Sequence, residues 1–282
     1  ANLAEEMLVD KQLAAQCYAA ILERRPEDQN AIRFLGRLLA ETERYPELAT
    51  LIGREVQLAE ARGAKEEAWD LMVRLGRLKL QRLADPKGAL AQYQEVLRRK
   101  PAHAGAIGAI EEMARSDSSL KGEAAATLEP VFASEGEHLK LVQMLESRVE
   151  AEPNPQERVV LLKKITEVYS QQMDNSEMAF VSAARALREL PDDPRSLELV
   201  LQLAGPADAQ DELLALLSEV SPRAAEDKAR ANLYRSLARA HDAQGDAEES
   251  VEAWKRVLEI DPGDPEGLET LSRLLGKQGR TG

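Results

Sequence analysis

The chain has 282 residues and a formal charge of −13, from 50 acidic and 37 basic side chains; 31% of it is charged and 4% aromatic. So much charge with so few aromatics and Val/Ile runs excludes a β-sandwich or a broad parallel sheet, whereas the prevailing Ala, Leu, Glu, Arg, Gln and Lys lose least on entering a helix. No run approaches the roughly 18 apolar residues needed to span a bilayer, and the acidic balance disfavours a nucleic-acid partner.

In chain order, Ala14, Tyr18 and Ile21 recur at helical spacing and stop at Pro26. This stretch reads as the second helix of a pair whose first helix is mostly missing. Cys17 is the single cysteine, so an internal disulfide or a multi-cysteine metal site is excluded. Beside Tyr18 on an apolar face, it reads as a small buried hydrophobe. Leu35-Gly36 and Leu39 open the next pair, which Tyr45, Leu48 and Ile52 continue. Leu75-Gly76 opens another, with Ala89, Tyr93, Val96 and Pro101 on its second helix and a turn at Leu83-Ala84-Asp85-Pro86.

Gly105-Ala106-Ile107-Gly108 follows no buried strand and lacks a third glycine in register, so it reads as close helix packing rather than a dinucleotide loop. Around Arg115-Ser116-Asp117-Ser118-Ser119 an added short helix is expected, ahead of Leu128-Glu129-Pro130-Val131-Phe132. A shift of 90 residues then places Ile165, Thr166, Val168, Tyr169, Met173, Ala179, Ala186, Leu187 and Pro191 where the copy beginning at Leu75 has its counterparts. Ala204-Gly205-Pro206-Ala207 marks the shortest repeat and a candidate hinge. The last complete copy shows a stripe at Tyr234, Leu237, Ala238 and His241, the turn Gln244-Gly245-Asp246, a second stripe at Val251, Trp254, Val257 and Leu258, and a stop at Pro262.

This last copy resembles the tetratricopeptide (TPR) repeat, a helix–turn–helix unit of about 34 residues. Tyr234 stands where that family has Trp, Leu237 matches its Leu and Ala238 replaces its small Gly. His241 replaces Tyr, Ser250 replaces a helix-contact Ala, Trp254 takes the aromatic position, and Pro262 matches the closing Pro. Leu-Glu-Pro-Val-Phe with the segment after it is similar to stretches of very long bacterial TPR arrays, including some from gliding myxobacteria. The resemblance implies an all-α fold: an α-solenoid of stacked antiparallel helix pairs, in a TPR-like right-handed superhelix of about sixteen helices. The expected units are 1–26, 27–63, 64–101, 102–153 with the extra short helix, 154–191, 192–221, 222–262 and a partial 263–282. The truncated pairs at both ends suggest a fragment of a longer array, and a cytoplasmic chain is expected because no signal-like start is visible.

Little points to chemistry. No phosphate-binding loop occurs, and His103, His138 and His241 lie far apart with no His-Glu-x-x-His helix. Asp192-Asp193 and Glu248-Glu249 fall at turns and first helical turns, where the helix dipole favours negative charge. The expectation is therefore no enzyme, no catalytic residue, no metal and no cofactor.

What remains is surface. In the family, first helices line a concave face that partners use. The template projects Arg33, Phe34 and Arg37 onto that face, then Arg74 and Arg77, then Lys163 and Lys164, then Arg235 and Arg239. Basic residues gathered on one face of an acidic chain suggest a groove that focuses positive potential. Asn30 and Asn232 sit beside this face, but the ordered Lys/Asn set of the family's carboxylate-clamp members is absent. The leading reading is a scaffold binding a protein or acidic peptide, with neither nucleic acid nor membrane insertion. The alternative is a structural spacer or self-assembling rod segment that associates through its ends.

Overall fold

The computed structural model describes residues 11–116 and 120–277. Among the described residues all regular structure is helical, in 15 helices with no strand, as an all-α helical-repeat solenoid requires. The chain divides into two compact units, 1–131 and 132–282. The first contains α1 (Lys11–Arg24), α2 (Gln29–Glu41), α3 (Tyr45–Ala61), α4 (Lys65–Arg82), α5 (Pro86–Arg99), α6 (Ala104–Ser116) and α7 (Lys121–Glu135) as far as Val131. From Phe132 the second runs through α8 (His138–Ala151), α9 (Pro155–Glu167), α10 (Ser176–Glu189), α11 (Pro194–Ala204), α12 (Gln210–Val220), α13 (Asp227–Gln244), α14 (Ala247–Ile260) and α15 (Pro265–Lys277).

One step is built four times. Helices α1, α5, α10 and α14 each end two residues before a proline: Pro26, Pro101, Pro191 and Pro262. Two residues further on, a side chain accepts the amide of the third residue after it. Asp28 takes Ala31 N–H at 2.9 Å, His103 takes Ala106 at 3.2 Å, Asp193 takes Ser196 at 2.7 Å, and Asp264 takes Gly267 at 2.7 Å. Each proline withdraws a backbone donor and ends the helix behind it. Each acceptor then satisfies an orphan amide of the helix ahead.

The turns inside pairs use left-handed backbone instead. Glu43, Ala84, Asp174, Asp208 and Gly245 all have positive φ, between α2 and α3, α4 and α5, α9 and α10, α11 and α12, and α13 and α14. The 90-residue shift holds to the level of single bonds. Ala84 and Asp174 both have φ of 49°, Asp85 N–H reaches Lys79 O at 3.0 Å, and Asn175 N–H reaches Tyr169 O at 2.9 Å. Asp85 and Asn175 then cap α5 and α10 through Gly88 and Met178. In the second copy the residues after α9, Val168–Gln172, form one π-helical turn.

Each unit buries its own core. In the first, Tyr18, Leu35, Leu38, Leu51, Ile52 and Leu75 join α1 through α4. In the second, Leu187, Leu216, Leu233, Leu237, Trp254 and Val257 join α10 through α14. Small residues set the helix approach. Gly76 leaves its space to the Tyr93 ring, and Ser250 Oγ donates to Ala238 O at 3.2 Å from α14 to α13.

Between 102 and 153 the chain forms α6, α7 and α8. Residues 117–119, where the short helix was expected, lie outside the described residues. The Leu128–Phe132 motif falls inside α7 with Pro130 in mid-helix. Burial of Leu128, Val131 and Phe132 offsets the hydrogen bond that Pro130 cannot donate.

Candidate interaction surface

The projected residues fall into two groups, one in each unit. In the first, Arg33 and Arg37 are exposed on α2, one turn apart and flanking half-buried Phe34. Their guanidinium carbons lie 5.0 and 5.3 Å from the ring centroid, and the other side of the assembly is Tyr18, stacked on Phe34 at 5.4 Å. Arg37 also approaches Glu41 at 3.7 Å. A hydrogen bond from Lys11, more than Arg37, holds the Glu41 carboxyl below its usual range.

Arg74 and Arg77 are exposed on α4, with no carboxylate within ion-pair distance among the described residues. Their charge still reaches neighbouring groups. Burial pushes the half-buried Glu55 carboxyl up, and Arg74 opposes that shift. Burial pushes the Tyr93 hydroxyl up to about 12, again against an opposing field, here from Arg77.

In the second unit the basic side chains are more committed. Lys163 Nζ lies 2.7 Å from Asp193 Oδ2, the cap of α11, and both side chains are mostly covered. Arg235 donates to Asn232 Oδ1 at 2.6 Å and pairs with Asp264, the cap of α15. Burial raises both cap carboxyls, but hydrogen bonds outweigh it and leave them below their usual range. For Asp193 these come from Lys163 and Ser196; for Asp264, from the Gly267 amide and Arg235. Arg239 grips Glu266 with two nitrogens, Nε at 2.6 Å.

Lys163 and Arg235 thus tie one first helix to the capped start of the next. Sequence reading placed them on the face and allowed pairing with carboxylates of neighbouring helices, without naming Asp193 or Asp264. The missed signal was the Pro-x-Asp step at Pro191-Asp192-Asp193 and Pro262-Gly263-Asp264, whose carboxylates sit at first-helix starts. Arg99, exposed at the end of α5, reaches Glu60 on α3 at 2.5 Å and Glu95 at 2.6 Å.

A groove of about 360 Å³ opens between α9 and α11. Its lining includes Val160, Lys163, Lys164, Ser170, Arg195 and Leu199. Ser170 comes from the π-helical turn, a distortion that recurs at functional sites. Arg195 was not foreseen; it stands in the first turn of α11 and pairs with Glu198 at 2.5 Å. Val160 is 47% exposed, so the groove offers apolar surface beside its cations. Among the described residues no three His, Cys, Asp or Glu side chains converge as a metal site, and no helix is long and apolar enough to cross a membrane.

Neither a family model nor a curated protein matches the sequence. Among solved structures the chain is similar to the C-terminal part of a TPR repeat-containing protein from Cytophaga hutchinsonii. The identity is 15%, over 93% of this chain and 95% of that one, with a TM-score of 0.33. It is similar to YrrB, a TPR protein with an unusual peptide-binding site, at 15% identity over 76% and 97%, TM-score 0.33. It is also similar to the TPR2AB domain of yeast Sti1 in complex with pHSP90, at 13% identity over 99% and 96%, TM-score 0.32.

Proposed function

We propose that the protein is a non-enzymatic interaction scaffold whose first helices bind acidic segments of a partner protein. The observation that carries this reading is the state of Arg33, Arg74 and Arg77. All three are exposed, and none holds a carboxylate within ion-pair distance among the described residues, although the chain carries 50 acidic side chains. An arginine left without a carboxylate keeps its planar fork available for bidentate pairing with an incoming one. Arg37, beside Phe34, adds stacking surface on α2. In the second unit the groove at Lys164 and Arg195 supports the same chemistry, with Val160 and Leu199 offering contact to an apolar side chain.

The test is fluorescence anisotropy with a labelled peptide alternating Glu and Leu, at salt between about 50 and 500 mM. The scaffold reading expects saturable binding that weakens steeply with salt, because the contacts are exposed charges. The spacer reading expects no binding at any salt, and sedimentation velocity that shows self-association as concentration rises.

A further inference from the structure

Glu55 interrupts a position that the other regular second helices keep apolar. Leu48 on α3, Ala89 on α5, Ala179 on α10 and Ser250 on α14 stand at one place in the repeat. Seven residues after them come Glu55, Val96, Ala186 and Val257. The last three are completely buried, and Glu55 is half-buried. Taking a carboxylate partly out of water costs free energy unless a cation or a donor meets it. Among the described residues no side chain hydrogen-bonds the Glu55 carboxylate, and no cation lies within ion-pair distance of it. Burial pushes the carboxyl up, and the field of Arg74 offsets only part of that rise.

The carboxylate lines a groove of about 470 Å³ between the second helices α1 and α3. That size falls among ligand pockets, which run from roughly 300 to 1,000 Å³. Its walls are largely apolar: Leu22 of α1, Leu51 and Leu58 of α3, Ile32 of α2 and Pro26 of the turn before it. The charged residues along it are Glu23, Arg54 and Glu55, so negative charge prevails. Arg54 precedes Glu55 on the same helix, where adjacent side chains do not face each other. It is also exposed, so water and salt screen it.

We propose that this groove binds a basic segment of a partner protein, taking an arginine and an adjoining leucine-like side chain, with Glu55 pairing the guanidinium. The apolar walls receive the aliphatic residue and the methylenes of the arginine. A guanidinium is weakly hydrated and pairs a carboxylate through two parallel hydrogen bonds, which suits a half-buried acid beside apolar surface. The ammonium of lysine is compact and strongly hydrated, and loses more on entering. The net charge of −13 adds long-range attraction for a basic segment. This site uses other helices and the opposite ligand charge, so it does not depend on the acidic-segment reading.

The test is fluorescence anisotropy on the full chain, with a labelled peptide alternating Arg and Leu at about 150 mM salt. Wild type should bind it saturably, and methyl NMR shifts should change most at Leu22, Ile32, Leu51 and Leu58. A Lys–Leu peptide should bind more weakly. Glu55→Gln, nearly isosteric, should weaken binding of the Arg–Leu peptide more than about tenfold. Glu55→Val, which installs the residue of α5 and α14, should weaken it as much and raise the urea midpoint of the first unit. Glu123→Gln, at an exposed carboxylate on α7, should stay within about twofold of wild type. The proposal is overturned by absence of saturable binding, by methyl changes centred elsewhere, or by equal affinity for the Arg and Lys peptides. Unchanged affinity in Glu55→Gln, or equal loss in Glu123→Gln, would also overturn it. So would a lower midpoint in Glu55→Val, because the carboxylate would then be held within the chain itself.

Discussion

Gly36 and Gly76 occupy the same repeat position, yet alanine at the two sites should act in opposite directions. A Cβ on Gly76 would lie 2.4 Å from Cε1 of Tyr93, 2.8 Å from Cζ and 3.0 Å from Cδ1. Tyr93 is fully buried, so the ring has no room to swing into. It must retreat by about 1 Å, and overpacking of this kind costs about 1–3 kcal/mol. Replacing a helical glycine returns about 0.8–1.0 kcal/mol. The net expectation for Gly76→Ala is a loss of up to about 2 kcal/mol. At Gly36 the nearest atoms are Leu51 Cδ2 at 3.7 Å and Leu48 Cδ1 at 3.8 Å, which is ordinary contact. Gly36→Ala should therefore gain about 0.5–1 kcal/mol. Urea unfolding read by Trp69, in a Trp254→Phe background, reports the first unit alone. Equal shifts of the midpoint, or a Gly76→Ala chain more stable than wild type, would refute the packing argument.

Other substitutions follow from the same geometry. Ala84 holds φ at 49°, so Ala84→Gly should stabilise the first unit by about 1 kcal/mol in thermal unfolding. Gly245 at φ 88° should show the reverse: Gly245→Ala should lower the melting temperature of the second unit. Trp254 is 2% exposed in the core it shares with Leu237, and Trp254→Ala should cost about 3–5 kcal/mol. Hydrogen exchange should then rise around Leu237 and not around Leu35, because repeats couple to their neighbours. The Asp264 carboxyl titrates below its unfolded value, so its stabilisation is complete above about pH 4 and is lost as pH falls through the folded value. Arg235→Gln should move that titration upward in carboxyl NMR, and an unmoved titration would remove Arg235 as a cause.

The fold was legible because its punctuation is local. Pro26, Pro101, Pro191 and Pro262 act on the residues beside them, and the copies beginning at Leu75 and Ile165 match to the turn residues Ala84 and Asp174. Exposure was legible on the same grounds: Arg33, Arg37, Arg74, Arg77, Lys164 and Arg239 all reach solvent from first helices. The ion-pair partners of other basic residues were not. Lys163 meets Asp193 and Arg99 meets Glu60 across tens of residues, and only helix stacking decides such pairings. His103 was read as an isolated histidine because its role depends on backbone geometry that a residue type does not announce.

The most direct test of the scaffold account is charge reversal at the uncommitted arginines. Arg74→Glu with Arg77→Glu is compared with Arg98→Glu and Arg256→Glu, which remove only exposed pairs within single helices, to Glu95 and Glu259. Circular dichroism should show the same helix content in all of them. In the anisotropy titration with the Glu–Leu peptide, the Arg74/Arg77 double variant should bind more than about tenfold more weakly than wild type, as loss of two charge-assisted contacts implies. The control variants should stay within about twofold. Equal loss in all the variants, or affinity unchanged by reversing Arg74 and Arg77, would contradict the account.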